Sequence, residues 1–242
     1  MSSPVELRGR FLTRFCDTAK ARLGRCLDLM AAGASTHAAA IQLELYSLAG
    51  ESAFLECSDI LDLARQGETA ARQIPEDPAA VVGCTRALRA LSRALDALEP
   101  PRPRGSSTGF PIASPSEEVV RGRVLVVDDS KLSADLMAAM LSEEGFAVET
   151  AGDAQGLDRA LASFRLDLAL SDVHMPGLDC SLVCRRVREA APHARILLIS
   201  GLEEAALARE CQRVSADGYV PRARGPAAVL ERIIAELAGR AG

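Results

Sequence analysis

The sequence predicts an α + α/β chain: an N-terminal antiparallel four-helix bundle, then a doubly wound, five-stranded parallel sheet. Three observations carry the prediction. Apolar residues recur every three or four positions through the first hundred residues. The stretch PPRPRGSSTGFPIASPSEE, residues 100 to 118, then offers little to bury. Beyond it, short apolar runs alternate with helix-like segments, the pattern of βα units.

In the first half, Leu12, Phe15, Ala19, Leu23, Cys26 and Met30 form one apolar stripe. Ile41, Leu45, Leu48, Ser52 and Leu55 form a second. Ile60, Leu63, Gly67, Ala70 and Ile74 form a weaker third, and Val81, Cys84, Leu88, Leu91, Leu95 and Leu98 form the cleanest. GAS at 33–35 and IPEDP at 74–78 supply breaks, with Asp77 and Pro78 suited to the N-cap and first position of the last helix. Four helices, each with one apolar face and short connections, satisfy one another as an antiparallel bundle. The last stripe also suits a homodimer seam, although it is short for a stable coiled coil.

The expected organisation is a helical bundle over 1–99, a flexible linker over 100–120 and an α/β domain over 121–242. In the α/β domain, RVLVV (123–127), AVET (147–150), DLALS (167–171), RILLIS (195–200) and GYVP (218–221) read as strands.

Composition narrows the function. A formal net charge of −5 gives no electrostatic case for nucleic acid, and RRVR at 185–188 reads as a solvated helix face. The seven cysteines include no CxxC pair, and Cys180 and Cys184 lack partners at zinc spacing, so buried free thiols in a reducing cytoplasm are expected. No run has the length of a membrane span and the N-terminus has no signal-peptide pattern, so no membrane partner is expected.

The informative residues lie at strand ends. Asp128 and Asp129 follow the first strand, Asp172 ends the third, Ser200 the fourth, and Arg222 follows the fifth. Ligands of such sheets bind at the carboxyl ends of the strands. Adjacent carboxylates repel unless a cation joins them. Three of them favour a hard divalent ion such as Mg²⁺. A carboxylate beside that ion, a hydroxyl and a fixed cation are the parts of a phosphoryl-transfer site with an Asp nucleophile.

VLVVDDS, SDVHMPGLD, LLISG and DGYVPR, in this order and spacing, resemble the receiver domain of two-component response regulators. The resemblance implies a flavodoxin-like sheet, with Asp172 as phosphoacceptor. It implies Mg²⁺ held by Asp128, Asp129, Asp172 and the His174 main-chain carbonyl. It further implies Ser200 as the hydroxyl that meets the phosphoryl group and Tyr219 as the aromatic that follows it. The chain departs from the family at Arg222, where Lys is usual. Guanidinium is planar and forked, so the exchange is not conservative at a tight site. It pairs with phosphate bidentately or holds Asp172 in a salt bridge. Cys180 is a lesser departure, at a position where Gly is commoner.

LYSLAGESAFLECSDILDLARQGE, residues 45–68, resembles the central hairpin of a histidine phosphotransfer domain, with Tyr46 where the relay histidine belongs. Tyr46, Gly50 and Ala53 share a helical face, and small neighbours there would let a receiver close over residue 46. A phenol of pKa near 10 does not replace imidazole in fast reversible transfer. His37 lies about half a turn around the helix from Tyr46 and reads as a surface or capping residue. His193 has the same reading.

The expectation is therefore a two-component signalling protein. A histidine kinase or phosphotransfer protein would phosphorylate Asp172, and output would pass to a downstream protein by contact. With nothing following the helix that ends near Leu237, no DNA-binding output is expected. The alternative is a non-phosphorylated adaptor built from a pseudo-phosphotransfer domain and a pseudo-receiver. A haloacid-type phosphatase is disfavoured because its second acid, two residues after the nucleophile, is here His174. No enzymatic turnover beyond slow self-dephosphorylation is expected.

Overall fold

The computed structural model describes residues 4–98 and 120–238. They fall into two compact units, one on each side of residues 99–119. All but the last residue of the expected linker, 100–120, lies outside the described residues.

The first unit is helical. Helix α1 (Pro4–Phe54) is interrupted at Gly33, where φ is 131° and ψ 94°. A side chain strongly disfavours that backbone conformation, so the GAS break acts through its glycine. The chain reverses there. Arg22 donates to Glu44 and to Glu51, each at 2.9 Å, and Arg25 donates to Glu44 at 2.6 Å. Helices α2 (Ser58–Gln73) and α3 (Ala80–Ala97) complete the unit. Phe11, Phe15, Ile41, Leu45, Leu48, Leu88, Leu91 and Leu95 are all fully buried.

Three details differ from the sequence reading. Phe11 is buried where Leu12 was expected, and Leu12 is half-buried. In α2 the buried positions are Ile60, Ala64, Gly67 and Ala71, so Leu63 and Ala70 sit beside the buried stripe. Helix α3 packs on both α1 and α2, so the buried arcs are wider than one row of residues. Helix α3 also starts later than Pro78. The Asp77 carboxylate accepts from the Ala79 N–H at 2.9 Å, and regular helix begins at Ala80.

The second unit is a five-stranded parallel sheet in the order β2-β1-β3-β4-β5. The strands are β1 (Arg123–Val127), β2 (Ala147–Ala151), β3 (Leu168–Asp172), β4 (Arg195–Ser200) and β5 (Gly218–Pro221). Helices α4 (Lys131–Glu143), α5 (Ala154–Ser163), α6 (Cys180–Ala190), α7 (Glu204–Arg213) and α8 (Gly225–Ala238) alternate with them. All five residues of β3 are buried, as are four of the five in β1, which is why Leu168–Leu170 and Val124–Val127 read as unbroken apolar runs. Pro221 ends β5, an edge strand, where a missing N–H costs little.

The sheet is pinned at its far end by Asp217. Its carboxylate accepts from the Ile196 N–H at 2.8 Å, from Arg188 at 2.8 Å and from Arg195 at 2.9 Å. The RRVR segment is thus largely committed to acids within the unit, since Arg186 pairs with Asp158 as well. No helix among the described residues is long and apolar enough to cross a membrane.

All seven cysteines are buried free thiols. Burial, with Glu210 alongside, pushes Cys180 up to about 12, and burial pushes Cys184 up to about 11. Cys180 opens α6 and donates to the Glu210 carboxylate at 3.1 Å. Thiols held protonated are poor nucleophiles.

Candidate functional site

The strand order reverses between β1 and β3, and the crevice at that point lies over the carboxyl ends of the strands. Asp128 directly follows β1, its N–H still bonded to the Ala151 carbonyl at 3.0 Å. The chain then enters α4 at once. Ser130 caps the helix by accepting from the Ser133 N–H, and its own N–H donates to Asp128 Oδ1 at 2.8 Å. This turn fixes Asp128 inward, where it is buried, and leaves Asp129 exposed.

Asp172 closes β3, in register with Ile199 of β4 and one position beyond the Val127–Ser171 pair. Its Oδ1 accepts from the Val173 N–H at 2.7 Å. The following loop turns at Pro176–Gly177, where Gly177 takes φ 78° and the Leu178 N–H reaches the Met175 carbonyl at 3.3 Å. Pro followed by a glycine of positive φ is the chemistry such a turn requires. His174 stands exposed in this loop.

One ligating oxygen each from Asp128, Asp129 and Asp172 lie within 4.8 Å of one another. An all-oxygen donor set of this charge suits a hard divalent cation. Arg222, the first residue of a short 3₁₀ turn (Arg222–Arg224) after β5, reaches into the same place. Its Nη2 lies 2.8 Å from Asp128 Oδ2 and 3.2 Å from Asp172 Oδ2. Its Nη1 donates to Ser133 Oγ on α4 at 3.2 Å. The Arg222 side chain is only 4% exposed, so these contacts are made away from bulk water.

Electrostatics follow from the burial. Loss of hydration pushes Asp172 up, to about 7; Arg222 pulls it down, Asp128 pushes it up, the Val173 N–H pulls it down, and Asp129 adds to the rise. Burial and the neighbouring acids thus work against the ionised form of Asp172, and the Arg222 guanidinium and the Val173 N–H work for it.

Ser200 is fully buried at the end of β4, one position beyond the Asp172–Ile199 pair, and accepts from the Leu202 N–H at 3.2 Å. Tyr219 is half-buried on β5, opposite Leu198, and packs against the core. The sheet thus gathers Asp128, Asp129, Asp172, Ser200 and Arg222 at one edge. Sequence reasoning missed Ser133, whose hydroxyl tethers Arg222. Its position among apolar residues of α4 gave no sign of a polar task.

Tyr46, in the other unit, is half-buried on α1. Gly50 and Ala53, expected on an open face beside it, are buried. The correction has a physical cause. Residues 48–55 are all buried, so this end of α1 is enclosed all round, and Glu51, between Gly50 and Ala53, pairs with Arg22 at 2.9 Å in that interior. His37 is half-buried early in the segment after Gly33, and His193 is exposed after α6.

Residues 124–234 match the response regulator receiver domain family. The chain is 32% identical over 118 residues to chemotaxis protein CheY of Treponema pallidum, covering 48% of this chain and 82% of that protein. It is 33% identical over 115 residues to response regulator MprA of Mycolicibacterium vanbaalenii, covering 48% of each. The chain thus spans about half the length of MprA. A solved receiver domain of a response regulator from Bermanella marisrubri is 30% identical, covering 48% of this chain and 96% of that one, with a TM-score of 0.42. Through the unit that carries the acid cluster, the chain belongs to the response regulator receiver family.

Proposed function

We propose that this chain is a two-component signal transduction protein whose receiver accepts a phosphoryl group on Asp172. The observation that carries the reading is the placement of Asp172: a buried acid on the central strand, with Asp128, Arg222 and Ser200 around it. The carboxylate oxygen attacks phosphorus and a P–O bond forms. The donor's bond to phosphorus breaks, its electron pair staying with the donor. Ser200 then offers its O–H, and Arg222 its N–H groups, to the new phosphoryl oxygens. Asp128, Asp129, Asp172 and the His174 carbonyl would hold Mg²⁺. When bound, the ion supplies positive charge against the phosphoryl oxygens. Tyr219 moves with Ser200 and carries the change to the surface. No substrate is turned over beyond slow loss of the aspartyl phosphate.

The donor is a histidine kinase or phosphotransfer protein, and the signal leaves by contact with a downstream protein rather than through DNA. The helical unit is read as an antiparallel four-helix bundle of phosphotransfer type, reversing first at Gly33, with Tyr46 at the degenerate relay position. The cross-links from Arg22 and Arg25 to Glu44 support that topology. A cytoplasmic location suits both the buried thiols and this function.

One observation favours a second reading, a non-phosphorylated adaptor: Arg222 already joins the two buried acids. Intact mass separates the two. Incubation with a small acyl-phosphate donor is expected to add one phosphoryl group to the wild type when Mg²⁺ is present, and none to Asp172→Asn. Failure with both the small donor and a kinase would leave the adaptor. An adduct on Asp172→Asn would place the acceptor elsewhere.

A further inference from the structure

A single nitrogen of Arg222 serves two acids that the proposed function assigns to a metal. Nη2 lies 2.8 Å from Asp128 Oδ2 and 3.2 Å from Asp172 Oδ2. The remaining oxygens of both acids are already turned onto the main chain. Asp128 Oδ1 accepts from Ser130 and Asp172 Oδ1 from Val173. A cation arriving at these carboxylates meets a charge of its own sign that is already bonded to them.

The guanidinium is also tied from behind. Nη1 donates to Ser133 Oγ at 3.2 Å, so the group is held by α4 while it reaches across to β1 and β3. A lysine ammonium has three donors but all on one nitrogen, so it lacks the planar fork that here puts Nη1 on the tether and Nη2 on the acids. The position therefore differs from the usual family residue in anchoring as well as in shape.

We propose that Arg222 is a built-in competitor of the divalent cation. It acts as an internal counter-ion that neutralises Asp128 and Asp172 in the resting protein, so that Mg²⁺ binds only against its charge. Occupancy of the metal site then depends on the Arg222–Ser133 tether as well as on Mg²⁺ concentration. This inference rests on the reading of the acid cluster as a Mg²⁺ site and concerns the residue that sets its affinity.

The test is Mg²⁺ titration of the full-length protein by calorimetry, comparing wild type, Arg222→Lys and Arg222→Met, with Asp129→Ala as the control that should lose binding. Removing a unit charge a few ångströms from the ion should tighten binding in Arg222→Met by about tenfold or more. Arg222→Lys should fall between the two. A parallel melt carries a second readout: added Mg²⁺ should raise the thermal midpoint of Arg222→Met far more than that of wild type. If Arg222→Met fails to fold, Arg222→Lys carries the test alone, with tighter binding than wild type expected. Equal or weaker Mg²⁺ binding in the variants overturns the inference and leaves the metal site standing. Absence of binding in all of them overturns both the inference and the metal reading beneath it.

Discussion

Arg222 and Asp128 meet at 2.8 Å across 94 residues of chain, with both side chains at most 5% exposed. A buried pair of this kind adds little net stability when formed, because each ion has lost its hydration. Breaking it by removing one partner is costly. The outcome depends on which partner goes. Asp128→Asn leaves Arg222 beside Asp172, so a loss of about 1–3 kcal/mol is expected. Arg222→Met strands two acids together and should cost more, about 3–5 kcal/mol. Urea denaturation of the receiver unit in chelator measures both; the reverse order would show that the arginine is not the charge that reconciles the acids.

Asp217 gives the receiver an acid-sensitive clasp. Burial pushes its carboxyl up, but the Ile196 N–H and the Arg195 and Arg188 guanidinia outweigh burial and hold it below the usual carboxylate range. A depressed acid stabilises the fold fully above its unfolded value and loses that contribution as pH falls through the folded one. Asp217→Asn should therefore cost about 1–3 kcal/mol at pH 7, and the difference from wild type should shrink as pH drops below 4. Denaturation midpoints taken across that range test it. A gap independent of pH would mean the loss is one of packing.

Gly33 carries the reversal of the helical unit. With φ at 131°, an added Cβ meets backbone strain, although the nearest outside atom is Thr36 Oγ1 at 3.8 Å. Gly33→Ala should lower the stability of this unit by roughly 1–3 kcal/mol. The sequence has no tryptophan and two tyrosines. Emission of Tyr46 in a Tyr219→Phe background therefore reports on this unit alone. An unchanged midpoint would mean that the turn relaxes freely into another conformation.

What the sequence made legible follows from how each element is buried. Strands β1, β4 and β5 match their apolar runs because each run stops where the chain leaves the sheet. The acid cluster was legible for a related reason: charged residues directly after a buried strand have only the sheet edge to occupy. The helices were harder. In α2, alanines at 64 and 71 are buried while Leu63 is half-buried, so hydrophobicity does not mark the contact line. The face of Gly50 and Ala53 was misread because nothing near them in the chain announces an interior in which Glu51 pairs with Arg22, from the far side of Gly33. Ser133 and Asp217 were missed likewise, since their partners lie 89 and 21 or more residues away.

Strand β3 is paired on both sides from Leu168 to Ser171 and with β4 alone at Asp172, and each of its residues is closed off from water. Strand β5 is shorter, lies at the border and is only partly covered. Resistance to opening should rank accordingly, with the β3 amides exchanging only when the whole unit unfolds and those of β5 yielding sooner. Asp172 thus ends the most completely buried strand of the sheet, and Tyr219 and Arg222 stand on or just after one of its two border strands. On the proposed reading, a change made at the acid meets less resistance toward the β5 border, where Tyr219 and Arg222 stand, than along the central strand.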